Sequence, residues 1–401
     1  MKKPRILIAM HYLEIGGAES ALVGLLRALD PSRVDVDLFL HAHRGEMMRH
    51  VPEWVRLLPE IRSYAAIEAP IKEALRHGCF GVALGRWRAL RNFGKYLRRK
   101  GINDWSGHYG YVARYVSPWL PSLRRFGRYD LAVSFLAPHE YVLRKVDATR
   151  RVCWIHSDYS RFDVDAALEL PVWDGYDRIA SISADVTETF CKRFPSLRSK
   201  IVEIENIAPA DLIREGAGAG RPADMPATPG RTALLTIGRY SYPKNLESIP
   251  ALCRGLTERG IDAEWYVIGY GADDTAIRRA IAAEGMQGRV HLLGKRDNPY
   301  PYIAACDWYV QPSRYEGKSV AVREAQILGR PVIVTAYPTA PTQVRDGVDG
   351  VIVPMHREAC IEAMARAVAD EALRKRIIDN ITAGDYSNAG EVEKFYRLAE
   401  A

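Results

Sequence analysis

The chain has 401 residues, about half of them apolar, and its 56 basic against 49 acidic side chains give a formal net charge of +7. That is enough for two ordinary domains, each with its own core, and the positive balance favours anionic partners. Six cysteines, with no C-x-x-C pair or Cys/His cluster, suggest neither a zinc site nor a disulfide framework and fit a reduced, cytosolic setting; no apolar run reaches the roughly 20 residues of a spanning helix.

The first predicted element is a buried strand, RILIAM, from Arg5. MKKPRILIAMHYLEIGG begins like a leader, but its apolar run is short and is followed by His11 and Glu14. Gly16 and Gly17 close a loop ahead of a helix with Leu22, Leu25, Leu26 and Leu29 inward. Paired glycines let amides approach a phosphate at a positive helix end. A plain Gly-Gly turn explains them equally, since the third glycine of the dinucleotide fingerprint is missing. VDVDLFLH reads as a half-exposed strand, with Asp35 and Asp37 alternating with Val34, Val36 and Leu38. RWRALRNFGKYLRRK, Arg86 to Lys100, puts Trp87, Leu90, Phe93 and Leu97 on one face of a helix and Arg88, Arg91, Lys95, Arg98 and Arg99 largely elsewhere. Such a helix either lies on an anionic membrane or packs on its own domain with a solvated basic face. No nucleic-acid motif accompanies the charge.

DLAVSFL, RVCWIH and RIASIS continue as strands. His156 ends the second of these and opens the loop HSDYS, where side chains point into a cleft, although lone histidines are more often structural. Asp163 and Asp165 form a second D-x-D string in a polar loop; neither string has the strand-loop context of a nucleotide-bound metal, so no metal site is expected. REGAGAGRPADMPATPGR, Arg214 to Arg231, is rich in Gly, Ala and Pro and has no periodicity. The expected division is residues 1–208 as a first domain, 209–231 as a linker, 232–385 as a second domain, and 386–401 as a terminal helix packing back toward the first.

TALLTIG, EWYVIG, RVHLLG, DWYVQPS, PVIVT and GVIVP alternate with helical segments as the first half does, the signature of βαβ units and parallel sheets. The fold class expected is α/β, with two Rossmann-like domains facing across a cleft, and such sheets bind at the carboxyl ends of their strands. Gly238 ends the first of these strands, with Arg239 and Lys244 in the loop and helix start beyond it. Two cations there suit a diphosphate or are solvated surface charge. WYVQPS runs into the loop RYEGK, with Ser319 a suitable N-cap for the helix VAVREAQIL, which Gly329 and Pro331 end. Three and four residues from Glu324 stand Val320, Ala321, Ile327 and Leu328, so its carboxylate leaves from the packed side. A half-buried acid needs donors, and two ribose hydroxyls supply them without another charge. Glu316, beside Gly317, can meet a ligand held by free amides around Lys318, Ser319 and Val320. Taken singly, each glutamate reads as a surface acid, Glu324 paired with Arg323 or Arg330; the two in this setting read as a site.

Glu316 and Glu324, separated by seven residues on a strand-loop-helix and followed by GRPVIVT, resemble the E-x(7)-E motif of retaining glycosyltransferases with the GT-B fold, in particular the large family 4. The resemblance covers nearly the whole chain, with its specific motifs mainly in the second half. It implies Glu324 on the ribose of a nucleotide sugar and Glu316 beside the transferred ring. GRYSYPK resembles the family's G-R-x(4)-K segment, which implies that Arg239 and Lys244 hold the diphosphate. Gly16 and Gly17 resemble its GGAE loop, which approaches the donor from the first domain. His156, and less firmly Asp158, match an H-x-D loop near the donor sugar. Asn206 matches an N-G-[VI]-D turn in part, because Ile207 replaces the glycine. Lys295 and Arg296 fall where the resemblance puts the base pocket, or are ordinary surface residues.

The protein so implied is a hexosyltransferase-type enzyme, retaining and metal-independent, with Glu316, Arg239, Lys244 and His156 as its catalytic groups. It moves a sugar from a UDP or GDP sugar to a hydroxyl of a saccharide or lipid-linked saccharide, in bacterial surface polysaccharide or glycolipid synthesis such as lipopolysaccharide or capsule. It needs no cofactor beyond the donor and binds no nucleic acid. It is cytoplasmic, or peripheral on the inner membrane through Arg86 to Lys100, and the rings of DWSGHYGYVARYVSPWL either help form an acceptor surface or pack in the core. The rivals are an epimerase or hydrolase of nucleotide sugars with the same architecture, and an inactive partner subunit.

Overall fold

A computed structural model of the chain describes residues 3–400 apart from Ile15, Asn103 and Phe162; Ile15, just ahead of the glycine loop, thus lies outside the described residues. Residues up to Ile207, together with those from Asn388 onward, form one compact unit, and Ala208–Ser387 form another.

The first unit is built on seven parallel strands in the order β3 (Arg56–Leu57), β2 (Asp35–Leu40), β1 (Arg5–Met10), β4 (Tyr129–Ser134), β5 (Ala148–Ile155), β6 (Arg178–Ser181) and β7 (Ile201–Glu203). RILIAM is apolar throughout because both faces of its strand are covered. Ile6, Ile8 and Met10 enter one core, Leu7 and Ala9 the other. The terminal helix Val392–Glu400 completes the first of these cores: Phe395 is fully buried and stacks on Trp154, Arg33 pairs with Glu393 at 2.6 Å, and the Asp30 amide donates to the Tyr396 hydroxyl.

Asp37 departs from the half-exposed pattern expected of its strand. It is buried, and Arg5, Arg56 and the Tyr129 hydroxyl all donate to its carboxylate, which these donors hold below its ordinary range against the opposing effect of burial. Only Asp35 of that D-x-D string faces solvent. In the other string, Asp163 accepts from Tyr96 and Arg193 and Asp165 from Tyr111.

The long basic helix spans Phe80–Lys100, and its buried face differs from the expected one. Val82, Ala89, Phe93, Tyr96 and Leu97 go inward, whereas Trp87 is half exposed and Leu90 also faces solvent. Residues 82, 89, 93 and 96 follow the helical repeat, and Trp87 falls off that stripe beside Arg88 and Arg91.

The second unit repeats the plan with six parallel strands in the order β10 (Val290–Gly294), β9 (Ala263–Ile268), β8 (Thr232–Ile237), β11 (Trp308–Gln311), β12 (Val332–Thr335) and β13 (Val351–Val353). Residues 209–231, expected as a linker, are part of this unit. Helix Ala210–Ala217 opens it, and Met225 is fully buried in its core. Gly216 serves close packing: a Cβ there would lie 2.6 Å from the ring of Tyr300.

Candidate functional site

In both sheets the strand order reverses between a first strand and a fourth, which opens a space at the carboxyl ends where the connections leave to opposite sides. In the second unit that point lies between β8 and β11. Gly238 and Arg239 follow β8, and Gln311 ends β11 with the loop to Glu316 beyond it. The two loops meet in an ion pair, Lys244 Nζ to Glu316 Oε1 at 2.6 Å, with the side chains 22% and 11% exposed. The same carboxylate oxygen accepts from Ser313 Oγ at 2.6 Å and from Gln311 Nε2 at 3.3 Å. An ammonium has three donors, so Lys244 keeps capacity for a second anion after Glu316 takes one. Arg239 is exposed and, among the described residues, makes no ion pair.

The β8 loop is held by a glycine that the sequence reading passed over. Gly269, just past β9, has φ +150°, and a Cβ there would stand 1.9 Å from the Gly238 carbonyl oxygen, so only glycine lets the two loops lie together. Its amide donates to the Gly294 carbonyl, and the Gly238 amide to that of Ile268.

Glu324 is on the helix Val320–Ile327 and is half-buried. Its Oε1 accepts from the Tyr300 hydroxyl at 3.2 Å, and Gly216 backs that ring. Burial pushes the carboxyl up to about 7, the Tyr300 hydrogen bond opposing this only in part. Between pH 4.5 and 7 the folded state therefore keeps a proton that the unfolded chain has lost, and stability falls as pH rises through that window. Glu324→Gln is expected to remove this slope, worth about 3 kcal/mol across the window, as read by urea unfolding at pH 5 and pH 7.5. Parallel profiles for the two proteins would contradict it.

At the helix start two expectations change. Ser319 is the N-cap residue but makes no side-chain cap; its hydroxyl points to Gln311 Oε1 at 3.3 Å. Its amide, expected to be free, donates to Gln343 Oε1 at 2.9 Å, and Gln343 returns a bond to the Ser319 carbonyl. Gln343 thus fixes the turn, a role invisible from a position 24 residues away. Gly317 and Val320 are exposed at this end, and Lys318 is half-buried there. Arg296 donates to Asp224 at 2.5 Å and to the Tyr302 hydroxyl at 2.8 Å, so its guanidinium is engaged within the unit, while Lys295 is exposed.

In the first unit the reversal lies between β1 and β4, and a cavity of about 400 Å³ opens there. His11 follows β1, Pro138 and His139 follow β4, and His156 follows β5. The His156 ring packs on Phe135 and Trp154, with neither nitrogen hydrogen-bonded among the described residues, and burial lowers it to about 4. Asp158 accepts from Ser160. Gly16 caps the helix Gly17–Ala28 in extended conformation, but the Glu19 carboxylate folds back over that end, against Gly16 and its own amide, where an anion was expected. Asn206 is half-buried beyond β7, its side-chain oxygen without a partner among the described residues.

A family model described as "Glycosyl transferases group 1" matches residues 224–383, the portion that carries Arg239, Lys244, Glu316 and Glu324. The D-inositol 3-phosphate glycosyltransferase of Thermomonospora curvata is 31% identical over 389 residues, covering 90% of this chain and 84% of that protein. The chain belongs to the glycosyl transferases group 1 family. Another relative, the lipopolysaccharide core biosynthesis glycosyltransferase LpsE of Rhizobium meliloti, is 24% identical over 181 residues, 44% of this chain and 50% of that protein. This and other curated transferases are spanned over half their length or less. Among solved structures, Anabaena Alr3699/HepE in complex with UDP and glucose matches at TM-score 0.66 and 14% identity, covering 99% of this chain and 100% of that one. The fold of this member of the group 1 family is GT-B, two Rossmann-like α/β units in one chain.

Proposed function

We propose that the chain moves a sugar from a nucleotide diphosphate sugar to a hydroxyl of a saccharide or lipid-linked saccharide, with retention at the anomeric carbon and without a metal ion. The observation that carries this reading is the Lys244–Glu316 pair at the strand reversal of the second sheet, with a desolvated acid, Glu324, eight positions further on. Arg239 and Lys244 take the charge that grows on the diphosphate as the glycosidic bond breaks, and positive groups placed in advance are worth most at that moment. Glu316, held by Ser313 and Gln311, orients the sugar ring. Glu324 receives the ribose hydroxyls beside Tyr300. The acceptor occupies the first unit, with His156 at its cavity, and attacks on the face that the diphosphate leaves, a phosphate oxygen taking the proton.

The UDP and glucose named for the HepE complex support a nucleotide sugar donor, UDP or GDP, and the name of LpsE supports a place in surface polysaccharide or glycolipid synthesis. Among the described residues no helix is long and apolar enough to cross a membrane. Phe80 and Trp87 expose 67% and 50% of their surface beside Arg88 and Arg91, which suits peripheral contact with an anionic bilayer.

Titration calorimetry with UDP and GDP tests the donor seat. At least one of them is expected to bind, with proton release near pH 7 because two hydroxyl donors favour the ionised Glu324. Glu324→Ala is expected to weaken that nucleotide about 10- to 100-fold and to abolish the release. A wild-type protein that binds neither nucleotide would remove the proposal.

A further inference from the structure

We propose that the cavity of the first unit seats an acceptor ring free of negative charge, and that Glu169 is the residue that excludes phosphorylated and carboxylated rings from it. This rests on the reading of the first unit as the acceptor unit. Trp154, Trp173 and Tyr109 give the cavity aromatic walls suited to the C–H face of a pyranose or cyclitol. Its polar atoms await partners: His11 Nε2, His139 Nε2, both nitrogens of His156 and Trp154 Nε1 are buried and unbonded among the described residues. Buried polar atoms without partners are rare, and several of them around one space call for hydroxyls.

Among the described residues that line this space, carboxylates outnumber lysine and arginine side chains. Burial lowers His139 to about 3 and His156 to about 4, so both are neutral at pH 7 and offer hydrogen bonds without positive charge. Three carboxylates line the cavity, and two have nearby bases: Glu68 lies 3.0 Å from His11 and 3.7 Å from Arg44, and Glu140 lies 2.5 Å from Arg144. Glu169 has only neutral donors, the Trp173 indole at 3.2 Å and the Tyr159 hydroxyl at 3.4 Å, and no cation within ion-pair distance among the described residues; burial pushes its carboxyl up, which these donors and the more distant Arg193 oppose in part. No described lysine or arginine lines the space. A phosphate entering it would give up its hydration beside a buried carboxyl without an ion-pair partner, whose ionised form repels it, whereas a hydroxyl or an ammonium donates a hydrogen bond to that carboxyl in return.

The test uses saturation-transfer NMR on the full chain, with and without saturating UDP or GDP, whichever binds, and a panel of methyl glucoside, methyl mannoside, glucosamine, glucose 6-phosphate and glucuronate. At least one uncharged or amine-bearing ring is expected to bind, with the anionic rings at least about tenfold weaker. Glu169→Gln is expected to narrow that gap about tenfold and to leave the affinity for that nucleotide unchanged. Anionic rings that bind equally well, a gap unmoved by Glu169→Gln, or binding by none of the five rings would overturn the proposal. Failure of both UDP and GDP to bind would instead fault the donor seat of the second unit, because the rings are also measured without nucleotide.

Discussion

Replacing Lys244 with methionine is expected to lower the rate of sugar transfer about a thousandfold while the protein stays folded. Removing one preorganised group that stabilises developing negative charge costs about 10²- to 10³-fold in turnover, and an ammonium beside a diphosphate lies at the upper end. Methionine keeps the apolar stem, which lies along Gly238. It leaves Glu316 with the Ser313 and Gln311 donors, so the loop retains two of its three holds. Single-turnover measurement at saturating donor separates the possible roles. A loss in the chemical step places Lys244 in the transition state. A rise in KM alone would assign it to ground-state binding, and a rate within tenfold of wild type would remove it from the machinery.

Phe395→Ala is expected to destabilise the first unit by about 3–5 kcal/mol, the cost of emptying a buried aromatic site. The side chain is fully buried against Trp154, on the same core as Ile6 and Leu22. For a unit of this size that shifts its thermal transition down by about 10 °C or more. Calorimetry should show the transition of the second unit unmoved, since Ala208–Ser387 does not contain the helix. A single transition shifted as a whole, or no shift, would contradict the expectation.

Alternating β-rich runs and helices were sufficient for the fold class, because strands covered on both faces, as RILIAM is, must be apolar throughout. The setting of Glu324 was legible only in part: it is half-buried, and Ile327 packs as expected, but Val320 is exposed and the helix is buried through Val322, Ala325 and Gln326. What the sequence hid is what distance hides. Lys244 and Glu316 stand 72 residues apart, and nothing local says that their charges meet. Tyr300 is a partner of Glu324 only through packing, and the Gly216 that seats its ring reads in the sequence as part of a linker. Trp87 fitted a plausible apolar face, yet the stripe that packs runs through Ala89 and Phe93. Ser319 has the right residue type for a cap, but Gln311 and Gln343 engage it instead.

The return of the last helix to the first unit has a consequence for biosynthesis. The second unit is one uninterrupted stretch set inside the first, so a nascent chain holds every residue of the later-made unit before the earlier one can close. Until Phe395 and Leu398 emerge from the ribosome, the face of the first sheet around Trp154 stays uncovered and open to chaperones or to self-association. A permuted gene that places the final helix ahead of Arg5 would let that unit mature first.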